Sequence, residues 1–303
     1  MRILITGSTG FVGSYLIREL LDRGHYVGAI IRPESDAWRI SEVRERVRFI
    51  VGSLDDISAL RSAIAAFEPD AIAHLAWWGV RNADRNSPIQ ARNIGPAVEL
   101  AGLAAELGVK VFVGAGSQAE YGQYHRTIGE DDPARPTTLY GMAKVATATM
   151  AGELCHRNGV RFAWVRLFST YGPKDHDHWL IPQLIRTLKA GRRMPLTKAE
   201  QRWGFLHVRD AASGIRTVIE AEAASGVFNL GSPEAPPLPE TILAIRDLVD
   251  PAGELGFGEI PYRLDQVMVL KADVTRLQSL GWQPRIALKE GLREMVSWYN
   301  AIE

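Results

Sequence analysis

The sequence predicts an α/β protein built on a doubly wound parallel sheet. Short, almost continuously apolar runs alternate with amphipathic stretches, and several of those stretches end at glycine. Continuous apolarity is typical of strands buried on both faces of a sheet, and glycine commonly follows the end of a helix. Repeated strand–helix alternation favours a parallel sheet whose ligand crevice lies at the carboxyl ends of the strands.

The predicted elements follow one another in a regular order. Six apolar runs are predicted strands: RILIT, YVGAII, RVRFIVG, AIAHLA, KVFVGAG and FAWVRLF. Four amphipathic stretches are predicted helices: FVGSYLIRELLDRG, ISALRSAIAAF, PIQARNIGPAVELAGLAAELG and TLYGMAKVATATMAGELCHRNG. After Leu167 the pattern loosens into proline-rich segments that contain aromatic residues, and two later strands are predicted at GFLHV and VFNLG.

Composition limits the classes of function. Thirty-five basic and thirty-five acidic residues among 303 give no net charge, so electrostatics does not favour a nucleic-acid partner. The single cysteine, Cys155, has no companion for a disulfide or a thiolate metal site, which fits a reducing compartment. No leader-like segment and no apolar run of membrane length is visible, so we expect a cytoplasmic protein that binds no metal and no membrane.

A glycine cluster follows the first predicted strand and opens the first helix, in ITGSTGFVGSYL. Glycine permits a tight turn and lets the backbone approach a pyrophosphate, while the N-terminus of the helix supplies N–H donors. The spacing is GxxGxxG, and its place after the first strand favours a dinucleotide over a plain turn. The loop residues predicted to contact the cofactor are Gly7, Thr9, Gly10, Phe11, Val12 and Gly13.

The end of the second strand indicates which dinucleotide binds. An acidic residue there would bond a ribose 2′-hydroxyl, whereas a basic residue would accommodate a 2′-phosphate. Arg32 stands at this place in AIIRPESD, with Arg39 as a second contact, so NADP(H) is favoured and NAD(H) stays possible. An arginine that merely lies on the surface remains the alternative.

Other parts of the crevice are expected to complete the cofactor site. Ser53 and Leu54 are predicted near the adenine, and Leu75 and Ala76 along the path of the cofactor at the fourth strand. His74 is interpreted as a core residue. Together these elements predict a Rossmann-type domain of residues 1–168 with 204–231, and a smaller α/β substrate domain of residues 169–203 with 232–303.

A tyrosine and a lysine are the candidate proton donor and its partner. Tyr140 and Lys144 in LYGMAK lie one helical turn apart, on one face of a helix that begins near Thr137 or Thr138. A neighbouring ammonium favours ionisation of a phenol and makes it a better acid–base group near neutral pH. Ser117, just beyond the fifth strand, is the candidate for a second hydroxyl, which makes the set Ser117, Tyr140 and Lys144.

These motifs occur in the order typical of one family. GSTGFVG, GSLDD, HLAW, Asn93 in ARNIG, GAGSQAEYG, YGMAK, RLFSTYGP, QRWGFLHVRDAA, FNLGS and LGWQPRIALKEGL resemble the extended short-chain dehydrogenase/reductases that act on nucleotide sugars. The resemblance implies that Ser117 and Tyr140 bond the sugar carbonyl, that Lys144 tunes Tyr140 and contacts the cofactor, and that Asn93 belongs to the cofactor site. It also implies that Arg202 and Arg263 face the diphosphate of a nucleotide sugar.

The sequence departs from that family at positions that decide the chemistry. Gln118 and Ala119 replace the Asp and Glu that remove water in its 4,6-dehydratases, and Ala119 also replaces a cysteine of its epimerase-reductases. Glu120, one position further on, is expected to point elsewhere. We assign Gln118, Ser169 and His178 to the substrate, although for His178 a surface role stays open.

Chemistry that needs only hydride transfer and one proton relay remains. The favoured hypothesis is NADPH-dependent reduction of the 4-keto group of a nucleotide-linked (dTDP, GDP or CDP) 4-keto-6-deoxy sugar. The alternatives are a 4-epimerase with retained NAD, of the UDP-glucose 4-epimerase kind, and a non-catalytic dinucleotide sensor. Small apolar residues on the third and fourth helices also favour a homodimer, although burial inside one chain explains them as well.

Overall fold

The main sheet has seven strands, all parallel. The computed structural model describes residues 1–302. The strands are β1 (Arg2–Thr6), β2 (Tyr26–Ile31), β3 (Val47–Val51), β4 (Ala71–His74), β5 (Val111–Ser117), β6 (Arg161–Leu167), β7 (Ser169–Tyr171), β8 (Met194–Pro195), β9 (Arg202–Trp203), β10 (Phe205–His207), β11 (Gly226–Leu230), β12 (Leu255–Gly256) and β13 (Val269–Leu270). The sheet runs in the order β11-β6-β5-β4-β1-β2-β3. The strand order reverses between β1 and β4, and this confirms the predicted doubly wound class.

Helices cover both faces of this sheet. The helices are α1 (Phe11–Asp22), α2 (Ile57–Phe67), α3 (Ile94–Glu106), α4 (Leu139–Arg157), α5 (Leu180–Lys189), α6 (Val208–Glu220), α7 (Leu238–Val249), α8 (Thr275–Gln278) and α9 (Leu288–Ile302). Buried residues of α1 and α6 share one apolar cluster with the strands, whereas those of α2, α3 and α4 form a second cluster. Alternate strand residues feed the two clusters because successive side chains point to opposite faces.

The C-terminal part has a smaller core of its own. Apolar side chains of α5, α7 and α9 pack together with those of β8 and the segment that follows it. Three parallel pairs, β7 with β10, β8 with β12, and β9 with β13, lie outside the main sheet. The predicted strand at VFNLG joins the main sheet as β11, but the one at GFLHV pairs with β7 instead.

Local sequence explains where α4 begins. Thr138 is the N-cap of α4, and its Oγ1 accepts a hydrogen bond from the Gly141 N–H at 3.2 Å. The helix therefore begins directly after the threonine predicted to start it, which places Tyr140 in the first turn.

No helix within residues 1–302 is long and apolar enough to cross a membrane.

Candidate active site

One large cavity, of about 1490 Å³, lies where the sheet meets the C-terminal part of the chain. It opens at the carboxyl ends of the strands, where ligands bind in doubly wound folds. The residues predicted for the cofactor that line it are Gly7, Thr9, Gly10, Phe11, Val12, Gly13, Arg32, Ser53, Leu54, Leu75, Ala76, Asn93, Tyr140 and Lys144. Ser117 lies on the same wall, so the fold brings the predicted cofactor and catalytic residues together.

The glycine loop is shaped for close backbone approach. Gly7 has φ +72°, and a Cβ there would come 2.6 Å from the Ala76 backbone nitrogen. A Cβ on Gly13 would lie only 2.2 Å from the Gly7 carbonyl oxygen. Among the described residues, no side chain caps the N-terminus of α1 at Gly10. These features fit a dinucleotide, because the loop leaves backbone N–H groups to meet a pyrophosphate.

The two arginines predicted to choose between NADP and NAD have different surroundings. The Arg32 side chain is about half exposed, and its Nε lies 3.2 Å from Oε1 of Glu34. Arg39 is held more firmly, since its Nε donates to the Lys174 carbonyl at 2.9 Å and its guanidinium stacks on Trp38. Both side chains line the cavity. A 2′-phosphate would therefore have to compete with Glu34 for Arg32.

Ser117 and Tyr140 form the hydroxyl pair. Ser117 ends β5, is 8% exposed, and accepts a hydrogen bond on Oγ from the Ala119 N–H at 3.2 Å. Burial raises the pKa of Tyr140, and a hydrogen bond with Ser117 and the charge of Arg85 oppose that rise. The phenol is therefore protonated at neutral pH, in the state that a general acid requires.

Lys144 has an aromatic partner that the sequence did not reveal. Its Nζ donates to the Ala115 carbonyl at 2.6 Å and lies 3.6 Å from the centre of the Trp77 ring. Burial lowers the pKa of Lys144 to about 7, which the charge of Glu120 opposes. The Trp77 indole favours the ammonium form through its π face, and its Nε1 is fixed by a 2.9 Å bond to Gln90.

Glu120 points away from the cavity, as expected. Its two carboxylate oxygens accept hydrogen bonds from Trp164 Nε1 at 2.9 Å and from Arg166 Nε at 2.7 Å, and Oε1 also accepts from the Ser117 N–H. The side chain is completely buried. Glu120 therefore stabilises the end of β5 and does not present a free carboxylate to a substrate.

The residues predicted for the substrate divide into two groups. Gln118, Ser169, His178 and Arg263 line the cavity. Oε1 of Gln118 is buried without a hydrogen-bond partner among the described residues, so it is available to a ligand. The structure places Arg202 outside the cavity lining, because β9 turns its neighbour Trp203 inward and leaves Arg202 exposed.

Several residues of the cavity wall were not predicted as site residues. Arg85 and Gln201 line it, and each has a buried polar atom without a partner in the described part of the chain. Trp77 contacts Lys144. The clustered tryptophans and arginines of WWGVRNADR, directly after a strand, were the available signal for Trp77 and Arg85.

Comparisons with known proteins agree with this geometry. A family model described as the NAD dependent epimerase/dehydratase family matches residues 3–231. UDP-glucuronic acid decarboxylase 1 of Arabidopsis thaliana is 27% identical over 98% of this chain and 69% of its own length. dTDP-glucose 4,6-dehydratase of Streptomyces griseus is 28% identical over 98% of this chain and 94% of its own.

A solved structure supports the same assignment. MoeE5, in complex with UDP-glucuronic acid and NAD, superposes with a TM-score of 0.86 and 28% identity over 99% of both chains. The family model covers more than half of this chain and spans the glycine loop, Ser117, Tyr140 and Lys144. The chain therefore belongs to the NAD dependent epimerase/dehydratase family, the extended short-chain dehydrogenases that act on nucleotide sugars.

Proposed function

We propose that this protein reduces the 4-keto group of a nucleotide-linked 4-keto-6-deoxy sugar, with NADPH as the donor and Tyr140 as the general acid. One observation carries the proposal. Beside the hydroxyl pair stand the neutral Gln118 and Ala119, and the only nearby carboxylate in that segment, Glu120, is bonded to Arg166. Water elimination needs an acid and a base at these positions, whereas reduction needs a single proton donor.

The residues on the cavity wall have clear roles in such a reduction. A bound nicotinamide cofactor supplies the hydride that reaches the carbonyl carbon. Ser117 and Tyr140 bind the carbonyl oxygen through their hydroxyls, and Tyr140 passes its proton to that oxygen as the new alcohol forms. The phenolate that remains is stabilised by the charge of the Lys144 ammonium, whose Nζ lies 5.8 Å from the centre of the Tyr140 ring and is held by the Ala115 carbonyl and the Trp77 ring.

The test of this proposal follows nicotinamide absorbance with NADPH and a panel of nucleotide-linked 4-keto-6-deoxy sugars generated in place. Oxidation with one member, lost in Tyr140→Phe while NADPH still binds, is the expected result. Tyr26→Phe is the matched control, because Tyr26 is 50% exposed at the start of β2 and does not line the cavity. A fully active Tyr140→Phe enzyme would remove the proposal.

A second candidate is 4-epimerisation with NAD that stays bound. It uses the same hydroxyl pair, first to take a proton and then to return it. It is favoured by the ion pair between Glu34 and Arg32, because a carboxylate 3.2 Å from the Arg32 Nε would compete with a 2′-phosphate for this side chain. Purified protein that carries NAD, and that turns over UDP-glucose without net NADPH oxidation, would establish this candidate. A cofactor-free preparation would count against it.

We further propose that the protein is a homodimer joined through α3 and α4. These helices pack on each other in one chain, and α4 leaves Met142 and Met150 about half exposed. Such apolar side chains are stabilised when a second copy covers them. Light scattering in solution would decide, because the mass of a single chain would contradict the proposal.

A further inference from the structure

Arg85 is a cation of the cavity wall that no motif accounts for. It lies in the loop after β4, and its guanidinium carbon is 5.5 Å from the centre of the Tyr140 ring. Its Nε is buried and has no hydrogen-bond partner among the described residues. Arg85 as a whole is half-buried, but a buried N–H of a guanidinium is costly unless an acceptor meets it, so this group is suited to a ligand.

The backbone fixes Arg85 relative to the reacting centre. The Tyr140 N–H donates to the Arg85 carbonyl at 2.9 Å, and the Leu139 N–H donates to Oδ1 of Asn86 at 3.2 Å. The loop is thus attached to the first turn of α4. A substrate group that meets Arg85 is therefore held at a defined distance from the Tyr140 hydroxyl.

A second guanidinium stands near the first. Arg263 lines the same cavity, and its Nη1 donates to Oδ1 of Asn82 at 2.7 Å, in the loop that carries Arg85. Burial lowers the pKa of Arg85, and the charge of Arg263 lowers it further, whereas Tyr140 and Asp265 oppose this. The carboxylate that opposes these two guanidinium groups is Asp265, which lies 3.9 Å from Arg263. An additional anion would balance the charge.

We propose that Arg85, together with Arg263, forms an anion subsite beside Tyr140. The group it takes is a planar or tetrahedral oxyanion of the substrate, either a phosphate of the nucleoside diphosphate or a carboxylate on the sugar. Guanidinium forks match both groups, since each offers two oxygens to two parallel N–H donors. This inference rests on the proposed function only in placing a nucleotide sugar in the cavity.

The experiment measures binding by calorimetry, with NAD present, for four probes: uridine, UDP, UDP-glucose and UDP-glucuronic acid. Wild type is compared with Arg85→Gln, which removes the charge, and with Arg85→Lys, which keeps it. Arg81→Gln is the matched control, because Arg81 is an exposed arginine of the same loop and lies outside the cavity lining. Binding of NAD to each variant shows that the fold is intact.

A phosphate contact predicts that Arg85→Gln weakens binding of all three diphosphates by one common factor, about 10- to 100-fold, and leaves uridine unchanged. A carboxylate contact predicts the same loss for UDP-glucuronic acid alone. Arg85→Lys should recover part of the affinity in either case.

Affinities that fall no more in Arg85→Gln than in Arg81→Gln would overturn the subsite, even if the enzyme reduces sugars. If wild type binds none of the uridine diphosphates, dTDP, GDP and CDP are tested in their place, and a wild-type protein that binds none of the four diphosphates would also overturn the subsite. Loss of affinity in Arg85→Gln without any turnover would instead remove the proposed reduction and leave the subsite standing.

Discussion

Replacement of Trp77 tests how the charge of Lys144 is maintained. In Trp77→Leu the ammonium loses the π face that lies 3.6 Å from Nζ, while the Ala115 carbonyl remains. A desolvated cation–π contact contributes about 2 kcal/mol, which corresponds to a fall of about 1.5 in the pKa of Lys144. The pKa of Lys144 starts from about 7. The charged fraction at about pH 7.5 should then fall roughly 20-fold.

The assay is the pH dependence of NADPH oxidation. If the ammonium stabilises the Tyr140 phenolate, the loss should be about 20-fold near pH 7.5 and less than about twofold near pH 5, where Lys144 is charged in both proteins. Trp77→Phe, which keeps a weaker π face, should lie between wild type and Trp77→Leu. A loss that does not depend on pH would show that Trp77 acts only through packing and would refute this reasoning.

The same change in pKa can be measured without a substrate. Lys144 has a folded pKa of about 7, below its unfolded value, so the unfolded chain binds more protons between the two values. Stability therefore rises with pH above about 7 through this group. In Trp77→Leu the free energy of unfolding should begin to rise at a lower pH than in wild type. Denaturant unfolding at several pH values would detect this difference. Coincident curves for the Leu and Phe variants would contradict the cation–π contact.

Two further predictions concern buried carboxylates. Glu120→Gln leaves the buried Arg166 without its counter-charge and should lower the free energy of unfolding, measured by denaturant, by about 3–5 kcal/mol. The control is Glu153→Gln, in an exposed pair with Arg157, which should lower it by less than about 1 kcal/mol. Equal losses in the two variants would contradict burial as the cause. Burial raises the pKa of Asp175 to about 7, so its contribution to stability is lost as pH rises from about 4 to about 7. Asp175→Asn removes that loss, so it should raise the free energy of unfolding by up to roughly 4 kcal/mol at pH 8 but little at pH 4. An equal gain at both pH values would show that the raised pKa of Asp175 is not the cause.

The enzyme class and the substrate chemistry depend on different parts of the molecule. The glycine loop and the Ser117, Tyr140 and Lys144 set fit the family's shared redox step, and they line one cavity. The loop after β4 and the wall around Trp203 differ in kind, since under the proposed function their side chains would meet the sugar and its nucleotide. Under the proposed function, we therefore expect the side chains of these walls to select the substrate, and not the sheet that carries them.

The sequence by itself determined the features that depend on short-range spacing. Apolar runs predicted the strands, a threonine predicted the start of α4, and the four-residue spacing predicted that Tyr140 and Lys144 share a face. The spacing of the glycine loop was equally predictable, because Gly7, Gly10 and Gly13 lie within seven residues and Gly13 packs on the Gly7 carbonyl, whereas the approach of Gly7 to Ala76 depends on the fold. The strands, the helix start and these spacings are local, so the identity of neighbouring residues is enough to specify them.

Only the tertiary structure decided which distant side chains meet. The contact of Trp77 with Lys144, the pairing of Glu120 with Arg166, and the place of Arg85 beside Tyr140 join separate elements through the packing of the whole sheet. Arg202 also depends on the tertiary structure, but here the fold keeps a predicted site residue out of the cavity lining. In a two-residue strand the inward and outward positions are set by the partner strands, and no pattern in the sequence is long enough to reveal them.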